Sequence, residues 1–173
     1  LADELVRRYR LPEEIFLDDL ARIAAGNYAA ARSNPLAQTR KWFMDYGEAR
    51  TRGTAGNGYV SGLLAVSDCS QITDGAALVV LASDAYVASH RLSAPVYVKG
   101  YGHRMAPLRF DAKMAESASS PFLLPWTRQA ALDAYRRAGL DVSDVDVFEV
   151  HDCFTSSEYA ALSALGLCAP GQE

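Results

Sequence analysis

The sequence is short of cysteine. It has three in 173 residues, Cys69, Cys153 and Cys168, and no Cys-x-x-Cys pair. An odd count without that spacing excludes a disulfide framework or a zinc ribbon as the organising principle. It favours a reducing, cytoplasmic setting. No apolar run approaches the roughly eighteen residues that a membrane helix needs. The opening stretch Leu1–Arg10 mixes charged and apolar positions and lacks the pattern of a signal peptide. Neither sign of charge dominates: 17 basic and 21 acidic residues give −4. Such a balance gives no general pull toward nucleic acid or an anionic membrane, so an anionic ligand must be met by local basic residues. There is no initiator methionine, and Leu1 falls in helix-like sequence. Pro170-Gly171-Gln172-Glu173 is turn-like and directly follows a helix. Both ends therefore read as cut.

What is present suits a globular core. Half of the residues are hydrophobic and 22% are charged, ordinary values for a folded domain. Residues 1–10 read as an amphipathic helix with Leu1, Leu5 and Val6 on one face. A second helix runs from Pro12 to Gly26-Asn27 on Leu17, Leu20, Ala21 and Ala24, and Ala29–Arg32 forms a further short turn. Leu36 to Ser61 is irregular and rich in glycine, arginine and aromatics, as functional loop excursions often are. The apolar runs 76–82, 96–101 and 145–150 predict strands, and 84–90 a short helix. Residues 103–121 carry little period and predict a loop. Pro125 opens a clear helix that Gly139 closes. Thr155-Ser156-Ser157-Glu158 has the pattern of a capping box and starts the last helix, which ends before Gly166. Helices alternating with strands predict an α/β fold in layers.

The most informative unit is the last strand, turn and helix. Val145–Val150 runs into His151-Asp152-Cys153-Phe154, and a helix follows at once. Reactive groups in α/β sheets gather beyond the carboxyl ends of strands. The positive end of a helix stabilises a thiolate placed beside it. An imidazole there can donate an N–H to a developing oxyanion. Asp152 either orients a neighbour or caps the helix. By residue type alone, a structural role for one His and one Cys is the commoner outcome.

Phe148-Glu149-Val150-His151-Asp152-Cys153-Phe154 resembles the His-Asp-Cys-Phe motif of sterol carrier protein-type thiolases. Glu158, Ala164–Cys168 and Pro170-Gly171 resemble the helix and turn that follow it there. Asp74-Gly75-Ala76-Ala77, preceded by Asp68–Thr73, resembles that family's Asp-Gly-Ala-Ala segment, and Asn34-Pro35-Leu36-Ala37-Gln38 its Asn-Pro-x-Ala-Gln. The segments come in the family's order and span nearly the whole chain.

The resemblance implies a thiolase-like layered αβαβα fold, of which this chain holds the middle. Residues 1–92 would be the end of the N-terminal half, with the loop domain at about 11–62, and 93–173 the start of the C-terminal half. It implies that His151 helps form an oxyanion hole for a thioester carbonyl and that Cys153 is the acid/base at the substrate α-carbon. The loop domain holds the nucleotide end of coenzyme A in that family. Arg40, Lys41, Arg50 and Arg52 are accordingly the candidates for its phosphates. No metal or redox cofactor is implied, and coenzyme A and its acyl thioesters are substrates. The expected assembly is a homodimer or larger, without nucleic acid or membrane.

Two parts of a thiolase are absent. There is no Gly-His-Pro, since His90 and His103 each precede an arginine. Cys69 is not at the position of the nucleophilic cysteine. The resemblance thus implies a partial active site that does not turn over alone. Two alternatives stay open: an aldolase or acyltransferase working with a small OB-fold partner, and a non-catalytic fragment.

Overall fold

The computed structural model describes residues 1–93 and 95–173. Helix α1 (Ala2–Tyr9) is followed by α2 (Glu13–Ser33) and the short α3 (Tyr46–Arg50). A small antiparallel ribbon, β1 (Tyr59–Ser61) with β2 (Leu64–Ala65), leads into a single 3₁₀ turn, Val66–Asp68. Then come α4 (Asp84–Ser89), α5 (Phe110–Ser117), α6 (Pro125–Ala138), a second 3₁₀ turn (Val142–Asp144) and α7 (Thr155–Leu165).

The main core joins the two ends of the chain. Leu5 of α1, Phe16, Leu17 and Leu20 of α2, Leu123, and Tyr159 and Ala160 of α7 are buried against one another. Phe16 meets Tyr159 edge-on, with ring centroids 5.0 Å apart at 85°, a geometry that sets the positive ring edge on the negative face. Tyr9 fastens the same region: its hydroxyl donates to the carbonyl of Pro121 at 2.9 Å and accepts from Leu123 N–H at 2.9 Å. Arg8 donates to the carbonyl and hydroxyl of Ser117, tying α5 to α1. A smaller cluster packs Ala49 of α3 on Ala21 and Ala24 of α2. These alanines let the loop excursion lie close against α2.

Several sequence expectations hold. Proline opens α6, and Gly139 closes it at φ 67°, where a side chain would be strained. Others are corrected. Helix α2 passes through Gly26 and Asn27 and ends at Ser33. The helix-forming run Ala29–Arg32 outweighs the cost of one glycine, about 1 kcal/mol. Residues 110–117, expected in a loop, form α5, a short helix secured by Arg8 and Ser117. Helix α7 carries no capping box: its cap is Phe154, without a side-chain bond. Thr155 and Glu158 are drawn into tertiary contacts instead.

The largest difference concerns the three predicted strands. Residues 76–82, 96–101 and 145–150 form no strand ladder among the described residues. Leu78, Val79, Val80 and Leu81 are each at least 80% exposed, and Val96 and Val147 are exposed too. A strand exists by exchanging N–H and C=O bonds with a neighbour, and these runs pair neither with each other nor with β1 and β2. Residues 100–102 instead lie on α6, where a Cβ at Gly100 or Gly102 would collide with the backbone carbonyls of Ala134 and Ala130. Only glycine permits so close an approach.

Candidate active site

The residues from His151 to Thr155 are held from two sides. The first support is the segment 65–70. Cys69 and Phe154 form an isolated antiparallel bridge, and Ser70 N–H donates to the carbonyl of Cys153 at 3.0 Å. Behind it lies a buried ion pair, with the side chains of Arg52 and Asp68 3% and 0% exposed. Asp68 accepts from both terminal guanidinium nitrogens of Arg52. It also accepts from Ala65 N–H at 2.7 Å and from the Thr155 hydroxyl at 2.8 Å. Such a carboxylate is fully satisfied, as a buried charge must be. The second support is α2. Asn27 Nδ2 donates to Asp152 at 2.7 Å and to Glu158 at 3.2 Å, joining the turn to the first turn of α7.

Between these supports is a cavity of about 240 Å³. Its walls include Asn27 and Tyr28 of α2, Thr39, Cys69 and Gln71, and Asp152. Ser67 also faces it, with a buried hydroxyl that has no hydrogen-bond partner among the described residues. Burial, and then the carboxylate of Asp68, push the Cys69 thiol up from its ordinary range. Cys69 is thereby kept in the thiol form, which is a poor nucleophile. Burial raises the Tyr28 phenol as well. Cys168 is held high by burial and by Glu173.

The expected residues fall into distinct settings. Cys153 is half-buried, and its Sγ lies 3.6 Å from Ser157 Oγ, one turn into the helix. The thiol therefore sits over the positive end of α7. His151, two residues before it, is exposed. Arg40 and Lys41 are exposed on the turn that follows Gln38 and Thr39 at the cavity wall. Arg50 is engaged with Asp18 at 3.0 Å. Arg52 is committed to Asp68, so of the four candidate cations Arg40 and Lys41 are the ones open to solvent. No cluster of three or more His, Cys, Asp or Glu suited to a metal ion occurs among the described residues.

Asn27, Asp68 and Thr155 were not singled out by sequence. Asn27 follows Gly26 and reads as a helix end. Thr155 fits a capping box. Asp68 opens the stretch that leads into Asp-Gly-Ala-Ala, just after the apolar run Leu63–Val66, with no sign there of a structural role. Its partner, Arg52, lies sixteen positions away across an irregular loop.

The geometry is thus a His-Asp-Cys-Phe turn at a helix N-terminus, backed by a polar cavity. Residues 111–173 match the family model described as thiolase C-terminal domain-like. The chain is similar over most of its length to members of the thiolase superfamily, and its helices and small sheet accord with a segment of a thiolase-like α/β fold. It is 33% identical over 159 residues to sterol carrier protein 2 of Bos taurus, covering 90% of this chain and 27% of that protein. It is 29% identical over 166 residues to the benzoylsuccinyl-CoA thiolase subunit BbsB of Thauera aromatica, covering 96% and 40%. It is 28% identical over 168 residues to an acetyl-CoA acetyltransferase of Methanothermobacter thermautotrophicus, covering 97% and 41%. The chain thus spans between about a quarter and two fifths of the length of these relatives. No helix among the described residues is long and apolar enough to cross a membrane.

Proposed function

We propose that this chain is the central part of a thiolase-type acyl-CoA acyltransferase, which cleaves 3-ketoacyl-CoA with coenzyme A or runs the reverse Claisen condensation. The observation that carries it is the placement of Cys153 over the start of α7, with exposed His151 two residues before it. In this role His151 donates to the thioester oxygen as negative charge develops there. Cys153 moves the proton at the substrate α-carbon. The cavity beside Asp152 and Thr39 seats the arm of the thioester. Arg40 and Lys41 meet the phosphates of coenzyme A, with Arg50 and Arg52 acting from their ion pairs as supports of the loop. Neither a metal nor a redox cofactor enters this chemistry.

The division at 92/93, with a loop domain at about 11–62, belongs to the same proposal, as do a homodimeric assembly and a cytoplasmic setting. The acyl-carrying cysteine and the Gly-His-Pro histidine are not in these 173 residues, so activity is assigned to the polypeptide that supplies them. The test is thiolysis of acetoacetyl-CoA and of longer 3-ketoacyl-CoAs by the protein expressed from its complete reading frame. Turnover with at least one chain length is expected. Turnover with none would contradict the assignment.

A second reading has one observation in its favour. The relative from Thauera aromatica is described as a subunit. A multi-subunit acyltransferase, working with a small OB-fold partner, would be marked by that partner's co-purification with the native protein.

A further inference from the structure

Asp68 is more deeply buried and more completely bonded than a loop residue needs to be. Its two oxygens accept from Arg52, from Ala65 N–H and from Thr155 Oγ1. Thr155 is the first residue of α7. Two residues before it is Cys153, whose carbonyl takes Ser70 N–H from the same segment that carries Asp68. The side chain of Cys153 folds back over the first turn of α7, against Ser157. Fixing Thr155 therefore fixes the distance between the thiol and the positive end of the helix. The helix has no side-chain cap of its own, so the Asp68–Thr155 bond is what ties its first residue down.

We propose that Asp68 is a positioning residue for Cys153, acting through Thr155 and clamped by Arg52. Its importance for catalysis rests on the acid/base role given to Cys153 above, but its effect on the thiol does not. Arg52 serves the reaction from a distance, by holding the carboxylate in place and neutralising it. The ionisable groups gathered around the turn are His151, Asp152 and Glu158 on the turn itself and on α7, Asp68, Arg52 and Cys69 on the facing side, and Tyr28 on α2. Of these, only the Asp68 network reaches the first residue of the helix.

The test is the pH profile of Cys153 alkylation by iodoacetamide, read peptide by peptide in the complete protein, for wild type, Thr155→Val and Thr155→Ser. A pH midpoint is chosen because, unlike an absolute rate, it does not follow accessibility. Loss of the hydroxyl loosens the first turn, and the helix terminus then stabilises the thiolate less. Thr155→Val is expected to raise the Cys153 midpoint by about 0.5 pH unit, the size of a helix-terminus effect. Thr155→Ser is expected to restore it, and Cys168, beyond the far end of α7, is expected not to move. An unchanged Cys153 midpoint in Thr155→Val would overturn the proposal. So would an equal gain in reactivity at all three cysteines, which would make the hydroxyl a determinant of folding alone. Alkylation needs no turnover, so a protein inactive in thiolysis would sink the enzymatic assignment and leave this result standing.

Discussion

Two regions of the molecule treat the same kind of residue in opposite ways. Where α1, α2 and α7 meet, Leu5, Phe16, Leu20 and Tyr159 are closed off from water. In residues 76–82 and 96–101, equally apolar side chains stand in solvent, as does Val147 in 145–150. The difference teaches that hydrophobic patterning states what a segment is suited to, while burial depends on a partner. An amphipathic helix makes all its backbone bonds internally and needs only a face to cover. A strand needs another strand first. The helical region has its partners within the described residues, and the three apolar runs do not.

Energetics should separate the regions sharply. Phe16→Ala removes a fully buried ring and its edge-on contact with Tyr159, and urea denaturation should show a loss of about 3–5 kcal/mol. Val80→Ala in the exposed run should change stability by no more than about 0.5 kcal/mol in this chain. Comparable losses from both would break the contrast. Asp68→Ala comes next. It leaves Arg52 buried without its partner, and about 3 kcal/mol or more should be lost in the same assay. Tyr9→Phe deletes one hydroxyl that both donates and accepts, and should cost about 1–2 kcal/mol.

The smallest effect is a pH dependence. Burial pushes the Tyr159 phenol up from 10.0 to about 12. Because its folded value is raised, its contribution is fully present below pH 10. It is lost as pH rises from there through about 12. Denaturation midpoints measured across that range should fall less steeply in Tyr159→Phe than in wild type. Parallel curves would show that the core around Tyr159 is more open to water than its packing indicates.

Legibility in the sequence follows the same division. Helices α1, α6 and α7 are readable because their signals are local: spacing of apolar residues, a proline at the start, a glycine at the end. The His151–Phe154 turn is readable as a motif and is found where expected, at the start of a helix. What holds that turn is not readable. The Arg52–Asp68–Thr155 network joins positions sixteen and eighty-seven residues apart, and no local pattern announces such a pairing. The capping-box pattern at Thr155 and Glu158 was misleading for the same reason. Both side chains had better partners across the fold, Asp68 and Asn27. Arg52 has the charge that a phosphate wants, yet burial beside an acid decides its use here.

The most direct test of the central claim is thiolysis of acetoacetyl-CoA by the complete protein, wild type against Cys153→Ala. If Cys153 handles the α-carbon proton, turnover should drop by about 100-fold or more, with coenzyme A binding retained. Equal turnover in the two proteins would contradict the account.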